Sequence, residues 1–180
     1  AATRRGGASR HDPSQVTVHH TDGHPRTKLS ESISEMRGYQ RFHMGPQRGW
    51  ADIGYHFVLD REGRILEGRP ADTIGAHAGG HNTGNIGIAM MGDYNKYDLN
   101  EQQKTSLRRL ISFLALHYRT DPRQKGFILG HTQHPGNNTD CPGSHILAFL
   151  AQLQREVGDE TLRLIGKFKP GSGFTPLAVV

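Results

Sequence analysis

The chain of 180 residues holds a single cysteine, Cys141, which excludes an internal disulfide framework. It has no apolar run approaching the roughly 20 residues that span a bilayer, so membrane insertion through such a helix is excluded. Residues 1–10 are small and basic and lack the apolar stretch of a signal peptide. Any export signal is therefore expected to have been removed or never to have existed. Aromatic residues are 7% of the chain, and no basic strip is interleaved with them. With no nucleic-acid-binding motif either, a nucleic-acid partner is not expected. There is no internal repeat, no low-complexity segment and no HExxH arrangement, so the usual metalloprotease base is missing.

Histidine is what the chain has in excess, with 12 residues. Packing alone seldom retains so many, which directs attention to a metal or acid–base site. The net charge is +5, suited to an anionic partner such as an acidic wall polymer, although the positive charges are dispersed. Apolar residues at 34% allow one modest core, and 23 glycines with 9 prolines imply many turns.

Periodicity predicts a mixed α/β fold: a central mixed sheet of about five strands flanked by about three helices. Residues 1–14 read as a flexible basic arm. Gln15–His20 reads as a strand, and Ser30–Met44 as a helix with Ser32 and Glu35 as a capping box, or Ser30 as the cap. Tyr55–Asp60 and Arg64–Gly68 flank a hairpin turn. Arg69–Asn85 is a long Gly-rich loop. Ile86–Met91 reads as a central strand buried on both faces. Asn100 caps a helix to about Arg119, Gly126–Gly130 is a short buried strand, and Ser144–Val157 is a third helix. The domain is expected over 15–157, with 158–180 as an extension or linker stub.

His19 and His20 close the first strand, His131 follows the strand ending at Gly130, and Cys141 comes ten residues later. Two imidazoles and one thiolate suit a catalytic zinc site, which takes three protein ligands and keeps a position open for water. On spacing alone, His19 reads equally as a strand-end histidine bonded to backbone, and Cys141 as a small buried hydrophobe.

Five segments carry a resemblance: VHHTDG at Val18–Gly23, Phe42–Arg69 containing FHM and GWADIGYHF, GAHAGGHN within Gly75–Tyr94, Gly130-His131, and TDCPG at Thr139–Gly143. In this order they resemble the type 2 N-acetylmuramoyl-L-alanine amidases, a family that includes peptidoglycan recognition proteins and T7-type phage lysozymes. The resemblance runs from about residue 15 to 157. It implies one zinc ion at the strand ends, held by His19, His131 and Cys141. It further implies Tyr55 as catalytic partner of the attacking water and Thr139 near the scissile carbonyl oxygen. His43, His77 and Asn82 would line the substrate cleft. Gly49 and Trp50 would favour stems containing meso-diaminopimelate, although Thr83 stands where some recognition proteins place an arginine.

The implied activity is hydrolysis of the amide between the lactyl group of N-acetylmuramic acid and L-alanine in peptidoglycan. The implied partners are peptidoglycan and muropeptides, with the protein a monomer. The competing reading is a muropeptide receptor that uses the same cleft without turnover. Recycling amidases of the cytoplasm usually carry Asp in place of the cysteine. Animal recognition proteins usually carry a disulfide near the first helix. The resemblance therefore points to a bacterial secreted enzyme or a phage-delivered endolysin.

Overall fold

The computed structural model describes residues 9–167. The strand β1 (Gln15–His20) explains most of the architecture. Its side chains alternate between faces: Val16 and Val18 point one way, Thr17 and His19 the other. β1 pairs in parallel with β4 (Asn85–Met90) on one side and β5 (Ile128–Gly130) on the other. β2 (Phe57–Leu59) pairs in parallel with β4 and antiparallel with β3 (Ile65–Glu67). The result is a five-stranded mixed sheet, as expected from the sequence, in the order β3-β2-β4-β1-β5.

The valine face of β1 joins Ile86, Ile88 and Met90 in one large core. There it meets Leu107, Ile111 and Leu114 of α2 (Glu101–His117) and Ile146, Leu150 and Leu153 of α3 (Ser144–Lys167). Fully burying each such side chain contributes about 1.5–3 kcal/mol. The opposite face is smaller and more polar. Ile53, Val58, Ala89 and Met91 form a small buried cluster there, packed by Met36 and Tyr39 of α1 (Leu29–Met44). One face of the sheet is therefore committed to stability, and the other keeps room for chemistry. β4 is buried at all six positions, as a central strand should be.

Helix starts show where local signals hold and where they fail. Asn100 caps α2, accepting from Gln103 N while the Gln103 side chain returns to Asn100 N. The capping box expected at α1 is absent. The helix starts after Lys28 without a side-chain cap, and Ser32 Oγ donates instead to buried Asp60 at 2.8 Å. Asp60 also accepts from the amides of Glu62 and Arg64 and from the Arg64 side chain, which builds the β2–β3 turn. A buried carboxylate with several donors outcompetes an exposed cap.

Two expected boundaries are corrected. Residues 9–14, assigned to a flexible arm, are held against the domain. Arg10 bridges Thr73, Pro13 is buried, and the His11 ring joins Ala71 O to Gly84 N. Position 157 marks no domain edge, because α3 continues to Lys167 with Val157 and Thr161 buried. The remainder of both terminal segments lies outside the described residues.

His56 ties the strands behind the polar face. Its Nδ1 accepts from Gly87 N (2.8 Å) and its Nε2 donates to Thr73 O (2.9 Å), a pair of bonds that needs the neutral ring. Burial, the largest cause, pushes its pKa down to about 4. The unfolded chain therefore binds a proton below about pH 6.5 that the folded chain refuses. Stability from His56 is complete above that pH and is lost as pH falls toward 4, by on the order of 3 kcal/mol. Urea unfolding of the metal-free protein at pH 7 and pH 4.5 is expected to show the loss. His56→Gln should be less stable at pH 7 but have a smaller pH difference; an unchanged difference would contradict this account.

Candidate metal centre and cleft

Val18 of β1 lies opposite Gly130 of β5 in parallel register. The next residues, His19 and His131, therefore leave the sheet side by side at its carboxyl edge, with ring centroids 4.6 Å apart. Cys141 arrives from the loop ahead of α3. Its carbonyl accepts from Thr132 N (2.9 Å), which fixes that loop to the turn after β5. Its Sγ receives the His20 amide at 3.4 Å and lies 3.6 Å from His19 Nδ1. One ligand atom from each of His19, His131 and Cys141 lies within 4.8 Å of the others.

The donor set fits zinc. Zn–N near 2.05 Å and Zn–S near 2.3 Å at a tetrahedral angle give an N···S edge of about 3.6 Å, which is the separation of His19 Nδ1 and Cys141 Sγ. His131 is held in a suitable tautomer. Asn137 donates its amide to Gly79 O, so its Oδ1 faces His131 Nε2 at 3.0 Å and accepts its proton. The His131 Nδ1 lone pair is thereby left bare. Burial drives the His19 pKa well down, helped by neighbouring His77 and His131, and lowers that of His131. Both rings are neutral at pH 7, as ligands must be. Burial pushes the Cys141 thiol up to about 12, opposed by the His20 amide. A metal therefore has to displace that proton when it binds.

A cleft of about 440 Å³ opens beside this cluster. His43, Trp50, Tyr55, His77, Asn82 and His131, all singled out from the sequence, lie on its wall. Tyr55 stands just ahead of β2, with its ring centroid 5.2 Å from His19 and 5.8 Å from His43. Burial raises its pKa above the ordinary tyrosine value, and the Cys141 charge adds to this. His43 Nδ1 accepts from Gly54 N (3.1 Å), so its Nε2 carries the proton. Burial lowers its pKa to about 4, with Arg48 and Arg69 adding to the effect. Trp50 packs 4.7 Å from His43. Gly49 supplies the turn ahead of it, with φ +64°, and is not itself on the wall.

Other expected residues are used differently. Asn82 Oδ1 accepts from the amides of His77 and Ala78, so it shapes the loop from inside. Thr139 Oγ1 accepts from Cys141 N (3.2 Å) and is not on the cleft wall. His77 is only 7% exposed, and both of its ring nitrogens are engaged: Nδ1 with His19 Nε2 (3.1 Å) and Nε2 with Asn85 O (3.2 Å). His20 turns to the other face, where Nδ1 accepts from Tyr94 N.

The family model described as N-acetylmuramoyl-L-alanine amidase matches residues 9–144. The chain belongs to that amidase family. Among curated relatives, peptidoglycan-recognition protein SC2 of Drosophila simulans is 36% identical over 134 residues, covering 74% of this chain and 70% of that protein. Among solved structures, the N-acetylmuramoyl-L-alanine amidase LysC from Clostridium intestinale superposes with a TM-score of 0.69 at 30% identity. It covers 85% of this chain and 93% of LysC. Peptidoglycan recognition protein-LE, solved in complex with tracheal cytotoxin, a monomeric diaminopimelic acid-type peptidoglycan, has a TM-score of 0.74. It is 27% identical and covers 84% of this chain and 87% of that one.

Within this amidase fold, two contributors escaped the sequence reading. Asn137 gives no motif signal, because its role depends on its amide orientation in space. Arg48 stands directly before Gly49-Trp50 and stacks over the rings of Trp50 (5.4 Å) and Phe42 (5.8 Å) on the cleft rim. Only its adjacency to the Gly-Trp pair could have drawn attention to it.

Cys141→Ser exchanges the soft thiolate for a hydroxyl at one corner of the cluster. Zinc affinity measured by chelator competition is expected to fall at least 100-fold with the fold intact by circular dichroism. A serine variant that holds zinc as tightly as the parent would remove Cys141 from the ligand set.

Proposed function

We propose that this protein is a zinc-dependent N-acetylmuramoyl-L-alanine amidase. It would hydrolyse the amide between the lactyl group of N-acetylmuramic acid and L-alanine in peptidoglycan. The observation that carries the reading is the convergence of His19, His131 and Cys141 at one end of a cleft whose wall includes Tyr55. Water adds across the amide: the C–N bond breaks, the lactyl carbon becomes a carboxyl group, and L-alanine leaves with a free amine. When bound, zinc supplies Lewis-acid polarisation of the carbonyl and a water acidic enough to attack near neutral pH.

The protein groups divide the remaining work. With its pKa raised by burial, Tyr55 keeps its phenolic proton at neutral pH. It serves as a hydrogen-bond donor beside the reacting carbonyl rather than as a base. Thr139 Oγ1 accepts from the Cys141 amide and so steadies the loop that presents the thiolate. His43, neutral with its proton on Nε2, offers a fixed donor to the bound stem. Arg48, cationic and stacked on Trp50, suits the stem's carboxylates. Site of action follows from substrate: the wall, reached by secretion or phage delivery. A lone thiolate held by metal would persist there without pairing.

A second reading, a muropeptide receptor without turnover, draws on the likeness to recognition proteins. Mass spectrometry of soluble products from purified peptidoglycan separates the two. Free stem peptides with a new N-terminal alanine, lost on chelation and restored by zinc, are expected. Intact stems with zinc bound would favour the receptor. Tyr55→Phe is expected to lower kcat by about 10²–10⁴ with zinc content unchanged; undiminished turnover would discharge Tyr55 from catalysis.

The Gly49-Trp50 pair with Arg48 predicts preference for diaminopimelate-type over lysine-type muropeptides, since the former carry one more carboxylate. Arg48→Ala is expected to raise KM for the diaminopimelate substrate about 10-fold and to leave the lysine type nearly unaffected. Equal rates of the parent protein on both substrates would defeat the assignment.

A further inference from the structure

His77 does something the cleft reading does not require. Its Nε2 faces the carbonyl oxygen of Asn85 at 3.2 Å, and a carbonyl can only accept. Nε2 therefore carries the proton, and in the neutral ring Nδ1 is a bare acceptor. That acceptor lies 3.1 Å from His19 Nε2, which must then be the donor. A neutral His19 with its proton on Nε2 has its lone pair on Nδ1. This is the nitrogen that faces Cys141 Sγ at 3.6 Å. A chain of two hydrogen bonds thus runs from the backbone of β4 to the Nε2 side of the ligand ring.

The fold reserves space for this ring. A Cβ built on Gly87 of β4 would stand 2.5 Å from His77 Cγ and Cδ2, and one on Gly75 would stand 2.6 Å from Cδ2. Neither position tolerates a side chain while the imidazole stays in its slot. Asn85 is itself anchored. Its side chain exchanges bonds with Thr17 Oγ1 (2.8 and 3.0 Å), and Nδ2 also donates to His81 O. The acceptor that sets the chain is as rigid as the β1–β4 pairing around it.

We infer that His77 is a positioning residue for the metal centre: through Asn85 O it fixes the tautomer and ring orientation that present His19 Nδ1 to zinc. This rests on the zinc reading above. Partners of this kind are worth about 10–100-fold in metal affinity. They act on the ligand rather than on substrate, so binding of the metal alone reports them.

The test uses zinc as its probe. His77→Leu fills the slot but can neither accept nor donate, and is expected to weaken zinc binding 10–100-fold in chelator competition. His77→Gln offers an amide oxygen to His19 and an amide N–H to Asn85 O, and is expected to bind within about 3-fold of the parent. Long-range ¹H–¹⁵N correlation spectra of the metal-free parent at pH 7 should show the His19 proton on Nε2. Parent-like affinity in the leucine variant, equal loss in both variants, or a His19 proton on Nδ1 would each overturn the proposal. A parent protein that takes no zinc would instead defeat the metal reading, and the tautomer measurement would still decide the role of His77.

Discussion

β1 pairs in parallel with two strands at once, and that double pairing decides where the His19 imidazole goes. Parallel neighbours share their carboxyl ends, so β1 delivers His19 and β5 delivers His131 to the same edge of the sheet. β4, on the other flank, brings the Asn85 carbonyl at the start of its run and Gly87 one pleat later. A one-residue slip of β1 would send His19 into the valine core and Val18 into the cleft. The register is protected because Val16 and Val18 are locked among Ile86, Ile88 and the residues of α2 and α3. The large core on one face thus holds the metal ligands on the other in place.

The second constraint is charge. His19 and His56 both pack against His77, and Tyr55 stands between His43 and His19. For each of the four histidines burial is the leading cause of a lowered pKa. Each protonation would add a charge in a low-dielectric site and break a hydrogen bond that needs a bare nitrogen. Neutrality makes the histidines useful twice: as acceptors that organise the backbone, and as lone pairs for a metal. Acid therefore acts on fold and site together.

How far the chain could be read before folding depends on where each signal originates. Asn100 with Gln103 is a local motif, and α2 begins there as read. The strand QVTVHH carries its own period of two. Ser32 and Glu35 make an equally good local motif, and α1 does begin within one residue of Ser30, yet the motif does not cap it, because Asp60, 28 residues away, claims the serine hydroxyl. The terminal stretch looked like an arm because His11 finds its partners, Ala71 and Gly84, across the sequence. His19 and Cys141 stand 122 residues apart, and no spacing rule joins them. Residue types alone left a backbone-bonded histidine and an inert thiol open. Family motifs drew the set together on paper, whereas the orienting roles of Asn137 and Asn85 exist only in the folded molecule.

A cleft that merely held a wall fragment would gain little from what lies beneath it. Burying a thiol, and an imidazole nitrogen that faces it at 3.6 Å, costs stability that an apolar cluster of the same volume would return. Two glycines keep a slot open for His77 where larger strand residues would pack better, and Gly in a strand interior is itself unfavourable. These costs concentrate at His19, His77, His131 and Cys141, while the rim residues Trp50 and Arg48, which suffice to grip a ligand, carry none of them. Packing rules are set aside here at the residues from which metal chemistry would profit, which supports the proposed turnover. On that ground the amidase reading stands ahead of the receptor, because recognition alone would leave the expense at the base of the cleft without return.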